Sequence, residues 1–192
     1  MPSPNPEALD FLLSRRSRPA KTLTTPVPDR AMVEKILTAA ARTPDHGKLE
    51  PWRFIVLSAG AMPRLAEVAE QRGRALGLDD EQITKGRTQF DQGNLAIAVI
   101  EVQKPSEKIP ALEQTYSAGA VCLALLNAAL AAGWGANWLS GWPSHDRDFM
   151  EQALDLGPHE KIAGFVHIGT ETSTPPDRPR PDLHAITTWV EA

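Results

Sequence analysis

The stretch that most restricts the fold is PALEQTYSAGAVCLALLNAALAA, residues 110 to 132. Its length and composition are those of a long helix, and from Ala118 onward it is apolar almost all the way round. A helix without a polar face has to be buried on every side. In a chain of 192 residues, a second subunit is the simplest cover, so the sequence predicts a self-associating protein. The apolar run itself, Ala118 to Ala132, carries Asn127 and is shorter than the roughly 20 residues a bilayer span needs. No membrane segment is expected.

The rest of the chain alternates helical and strand patterns. Residues 6 to 15 read as a short helix with Leu9, Leu12 and Leu13 on one face. Asp29 is the expected N-cap of a helix over 30 to 42, which Pro44 ends by forcing Thr43 out of the helical region. WRFIVLS (52 to 58) has the aromatic and β-branched content of a strand. Residues 60 to 92 are charged and helical, and are expected as a peripheral excursion. LAIAVIEV (95 to 102) lacks alternation and reads as a strand buried on both faces. A helix near 146 to 156 and a strand at 161 to 169 follow, and a Pro-rich arm from about 170 to 192 ends the chain. Strands separated by helices imply an α/β or α+β sandwich in one domain spanning 1 to 192.

Composition excludes several classes. A net charge of −4, with no concentrated basic face, argues against nucleic acid and membrane partners. The single cysteine, Cys122, allows no internal disulfide and fits a reducing compartment. With no basic N-terminal segment leading into an apolar run, a signal peptide is not expected, and the reading is a cytoplasmic protein. The five histidines make no His-x-x-x-His or Glu-x-x-His pair, so no metal site is expected. His167 reads as a partnered, half-buried strand residue. GWGANW (133 to 138) lacks the third glycine of a dinucleotide fingerprint and follows a helix. Ser140 is no nucleophile elbow, because Trp138 stands at the first glycine position.

Two basic clusters remain. Arg15, Arg16, Ser17 and Arg18 lie just past a helix, with Lys21 beyond, where forked guanidinium donors and a hydroxyl suit a phosphate. Equally, helix C-termini attract basic residues through the macrodipole. In RTPDHGKLEPWRF (42 to 54), Arg42, His46 and Lys48 crowd a turn that needs no such chemistry.

Four segments appear in a telling order: RRS at 15 to 17, AARTPDHGKLEPWRF at 40 to 54, EQTYSAGAVCLALLNAALAAGWGANWLSG at 113 to 141, and ALDLGPHEKIAGFVHIGT at 153 to 170. Together they resemble the FMN-dependent nitroreductase family, in particular its small single-domain NAD(P)H branch. The resemblance implies an α+β fold, a three-layer sandwich around a mainly antiparallel sheet, in a domain-swapped homodimer. Two FMN sites would lie at the subunit interface, and the C-terminal arm would reach over the partner. It places Arg15, Arg16 and Ser17 on the FMN phosphate and ribityl chain. Arg42 and His46 would contact the flavin too, His46 from the other subunit. Trp138, Leu139 and Ser140 would lie against the flavin ring, and Ala128, Ala129, Leu130, Ala131, Ala132 and Gly133 would meet NAD(P)H. Leu139 stands where close relatives often have Arg, and Lys21 either replaces a family Arg or is solvated. The implied chemistry is hydride transfer from NAD(P)H to flavin N5, then ping-pong reduction of a nitroaromatic, quinone or similar small acceptor. No side chain need be the essential acid or base. The alternative is a flavin store or sensor of the same fold with little turnover.

Overall fold

The structure is a computed structural model and describes residues 3–191. In chain order its elements are α1 (Pro6–Ser14), β1 (Leu23–Thr24), α2 (Arg30–Ala40), β2 (Trp52–Ser58), α3 (Met62–Ala75), α4 (Asp80–Asp91), β3 (Leu95–Val102), α5 (Ala111–Ala131), β4 (Gly135–Leu139), α6 (Arg147–Leu154), β5 (Glu160–Glu171) and α7 (Leu183–Ile186).

β3 is the spine. It pairs antiparallel with β2 on one side, Trp52 opposite Glu101, and with β5 on the other, Ala96 opposite His167. β4 pairs with β5 from Gly135–Gly169 to Leu139–Phe165, and β1 joins the end of β5 at Leu23–Glu171. Every pairing is antiparallel. Because strand side chains alternate, Leu95, Ile97 and Val99 pack with α2 and α5, while Ala96, Ala98 and Ile100 pack with α3, α4 and α6. Both faces are covered, which is why LAIAVIEV shows no polar alternation. The three-layer α+β sandwich is present.

Local signals account for much of this. Asp29 caps α2 through Met32 N (2.8 Å), as the sequence predicts. The helix closes two residues early, because Arg42 N and Thr43 N bond Ala39 O and Ala40 O in a tightened last turn before Pro44. Residues 60 to 92 are helical, but they are not peripheral. Leu65, Ala66, Ala69 and Phe90 are fully buried. The Phe90 ring stacks on Phe149 at 5.5 Å and meets Phe165 edge-on at 5.4 Å. α3 and α4 form most of one outer layer; charge on their solvent face masked this in the sequence.

α5 is covered by its own chain on one face only. It is not buried on every side: Leu112, Tyr116 and Leu123 are 56, 66 and 46 % exposed along one stripe. Its other face is the core face, from Ala118 and Val121 to Leu125 and Ala129. At 21 residues and mean hydropathy 1.2 it reaches the length and composition of a membrane span, which the apolar run alone does not. Its buried polar groups divide: Gln114 bonds both backbone groups of Lys104, whereas Asn127 Oδ1 is buried without a partner. Residues 172 to 191 form an arm that is mostly exposed, including Leu183, Ile186, Trp189 and Val190.

Candidate functional site

The first basic cluster is set in place by β4. α1 stops at Ser14 and Arg15 turns extended. Arg18 N then donates to Ala136 O (2.9 Å), and Asn137 Nδ2 donates back to Arg18 O (2.7 Å). The stretch is thereby laid along the strand. Arg18 takes up Glu171 at 2.5 Å, and Arg15 Nη2 donates to Ser17 Oγ at 3.0 Å. Arg15 Nε is buried without a partner. Burial pulls the Arg15 pKa down, and the guanidiniums of Arg180, Arg16 and Arg18 pull it further. Four arginines therefore crowd one place; Glu171 answers Arg18 and Asp177 pairs with Arg180 at 3.0 Å, leaving Arg15 and Arg16 without an acid among the described residues. Sequence reading missed Arg180. It comes from the arm, whose Pro176 O accepts from Arg16 Nε (3.4 Å), and no local pattern announces a contact across 160 residues.

Past this cluster the surface opens into two adjoining cavities between β4 and α4. One, about 290 Å³, is lined by Lys21, Lys85, Gln89, Leu139 and His167 among others. The other, about 390 Å³, shares Lys85, Gln89 and Leu139 and adds Ser140, Gly141 and Trp142. Lys85 and Gln89 stand four residues apart on α4, a spacing that puts them on one helix face. Among the described residues, neither Lys21 nor Lys85 is in an ion pair. A mostly apolar groove with unpaired cations at its side and an arginine cluster nearby suits a flat molecule with an anionic tail.

The expected site residues divide. Arg15, Arg16, Ser17, Leu139 and Ser140 lie in this region. Trp138 does not share the cavity, because alternation along β4 sends its side chain to the other sheet face, over Gly164, where a Cβ would overlap the indole. Arg42 lies apart as well, in a groove of about 370 Å³ with Ala120, Leu123 and Asn127 of α5. His46 pairs through Nδ1 with Glu113 Oε2 at 2.6 Å. Its loop is tense: Gly47, Lys48 and Glu50 all have positive φ (75°, 55° and 47°). Asp45 Oδ1 accepting from Leu49 N (2.6 Å) holds the loop, and a Cβ at Gly47 would displace the tip of the Ile109 side chain. Such strain concentrates where a segment has a task.

Ala128 to Gly133 form the C-terminus of α5. Gly133 at φ 85° closes it, with Gly133 N bonded to Leu130 O and Trp134 N to Ala129 O. A helix C-terminus presents carbonyls and the negative end of the dipole, so it offers little to a pyrophosphate. His167 differs from expectation too. It is 3 % exposed and its Nε2 has no partner, and burial pushes its pKa down to about 4. Among the described residues, no group of metal-ligating side chains occurs.

This geometry can be set beside known proteins. The nitroreductase family's sequence model matches residues 12–170. The chain belongs to the nitroreductase family. It is 35 % identical over 164 residues to the protein named "Putative NAD(P)H nitroreductase YdjA" of Escherichia coli (strain K12), covering 85 % of this chain and 88 % of that one. A "Putative NAD(P)H nitroreductase" of Haemophilus influenzae is 32 % identical over 166 residues, with the same coverage. Among solved structures, a nitroreductase-like family protein from Bacillus cereus superposes with TM-score 0.81 over 100 % of both chains, at 21 % identity. A "putative nitroreductase in complex with fmn" from Desulfovibrio desulfuricans gives 0.71 at 21 % identity, over 98 % of this chain and 99 % of that one. As a nitroreductase-family member the protein is an oxidoreductase.

Proposed function

We propose that this nitroreductase-family chain binds FMN between β4 and α4 and uses it to carry electrons from NAD(P)H to electron-poor acceptors such as nitroaromatics or quinones. The observation that carries the reading is the arginine cluster. Arg15 Nε is a buried donor with nothing to bond, and although Arg18 pairs with Glu171 and Arg180 with Asp177, Arg15 and Arg16 have no anion among the described residues. A dianionic phosphate supplies what they lack, and Ser17 adds a hydroxyl. The relatives' names and the FMN complex of the Desulfovibrio protein support the same cofactor pair. When bound, FMN supplies the hydride chemistry. The protein's part is to hold the phosphate at Arg15, Arg16, Ser17 and Arg180, to lay Leu139 and Ser140 along the groove, and to present Lys21 and Lys85 as positive charge that favours electron gain. Acceptor reduction then follows reduction by NAD(P)H in ping-pong order.

In this reading the working unit is a cytoplasmic homodimer, consistent with a free, buried Cys122. The exposed stripe of α5 is the natural seam, since Leu112, Tyr116 and Leu123 form a continuous apolar row. Arg42 and the strained His46 loop adjoin that seam and would complete the partner's flavin site. The arm carries exposed Trp189 and Val190, and an apolar groove of about 710 Å³ between α2 and the free edge of β2, at Val33, Leu37 and Val56, is a receptor for a swapped arm. Residues 128 to 133 then offer the nicotinamide only an apolar surface; its phosphates need other donors.

The test is the visible spectrum of the purified protein, before and after NADPH or NADH under anaerobic conditions. The proposal expects a flavin spectrum that bleaches, and reoxidation by a nitroaromatic or quinone. Flavin that neither nucleotide bleaches would favour the store or sensor reading. Protein that takes up no FMN on reconstitution would overturn the site.

A further inference from the structure

His167 stands out because the fold buries a titratable ring and gives its Nε2 nothing to bond. The residue sits near the middle of β5, opposite Ala96 of β3 and Asn137 of β4. Neither neighbour serves its Nε2: Ala96 has no polar side-chain atom, and Asn137 turns its Nδ2 to Arg18 O. The covering helix α4 brings Lys85 and Gln89 to the same cavity, and the turn after the arginine cluster brings Lys21. An unsatisfied buried nitrogen is costly, and an apolar residue of similar size would fill the place more cheaply if packing were its purpose.

We propose that His167 is a flavin ligand, its imidazole hydrogen-bonding the ring of an FMN held between β4 and α4 beside Lys21 and Lys85. This rests on the FMN reading of the cavity and adds a residue to it. The charge logic is consistent. Burial holds the ring uncharged at neutral pH, so it offers one donor and one acceptor without adding a third cation to the two lysines. A flavin ring has carbonyl oxygens and a ring N–H along its polar edge, so one imidazole nitrogen can be matched in either tautomer.

The experiment compares the full-length wild type with His167→Phe and His167→Gln. FMN affinity is read by quenching of flavin fluorescence, and the imidazole signals are followed by 15N NMR of histidine-labelled apoprotein as FMN is added. Loss of one neutral hydrogen bond is expected to weaken FMN about three- to tenfold in His167→Phe, with recovery toward wild type in His167→Gln. The His167 ring nitrogens should shift on binding, and the bound-flavin absorption maximum should differ in His167→Phe. A role in packing alone would move neither. If His167→Phe does not fold, the glutamine variant and the wild-type NMR titration decide. Wild type that binds FMN with unmoved His167 signals, and variants of equal affinity, would overturn this inference and leave the FMN reading standing. Wild type that binds no FMN would remove both.

Discussion

Arg15 joins stability and function with opposite signs, and Arg15→Met separates them. Methionine keeps an aliphatic stem of similar reach and deletes the guanidinium. In the apoprotein this removes a buried donor without a partner and one of four clustered positive charges. Leaving such a group unsatisfied costs about 1–3 kcal/mol. Part of that returns as lost packing and a lost bond to Ser17, so the apoprotein should gain between zero and about 1 kcal/mol. For a chain of this size that is a rise in Tm of at most about 4 °C. With FMN the sign reverses, because a charge-assisted bond to phosphate contributes about 1.5–3 kcal/mol, or roughly 10- to 150-fold in Kd. At FMN one hundred times the wild-type Kd, binding adds about 2.7 kcal/mol to the wild type. A thirtyfold weaker variant gains only about 0.9 kcal/mol at the same concentration. Thermal unfolding at fixed protein concentration, with and without FMN, reads both numbers. Unchanged FMN stabilisation in a variant whose apoprotein is destabilised by more than about 1 kcal/mol would refute the argument, since Arg15 would then be a structural arginine.

Other perturbations test the frame around this site. Phe90→Ala empties the contact between Phe149 and Phe165 and should cost about 3–5 kcal/mol by urea unfolding, showing that α4 is structural. Asp146 caps α6 through Phe149 N and receives Arg72, whose hydrogen bond lowers the carboxyl pKa. A lowered pKa stabilises the fold above the unfolded-state value and loses that contribution as pH falls through the folded value. Asp146→Asn should therefore be about 1–3 kcal/mol less stable at pH 7, and the gap to wild type should close in acid; a gap independent of pH would contradict the pairing with Arg72. Leu123→Glu places a charge in the α5 stripe, and light scattering should find monomer that also loses FMN. A fully dimeric Leu123→Glu protein would exclude this seam.

The amino-acid sequence determined most of the elements and their order, though not the strands β1 and β4 or the short α7. Strands 52–58 and 95–102 lie where β-branched runs place them, and Asp29 caps its helix as written. These features depend on neighbours within a few residues, so they survive without a fold. The order of RRS, PDHG and WLSG likewise brought out the family, and with it Arg15, Arg16, Ser17, Leu139 and Ser140. Tertiary structure decided the rest. Apolar content could not say that α5 leaves Leu112, Tyr116 and Leu123 uncovered, because composition carries no information on which neighbour arrives. Strand alternation divided Trp138 from Leu139 only once β4 had a partner on a definite side. The charge of Arg180 acts on Arg15, and His167 Nε2 is left without a partner, through the approach of distant segments, where burial and charge are properties of the folded surroundings and not of the residue.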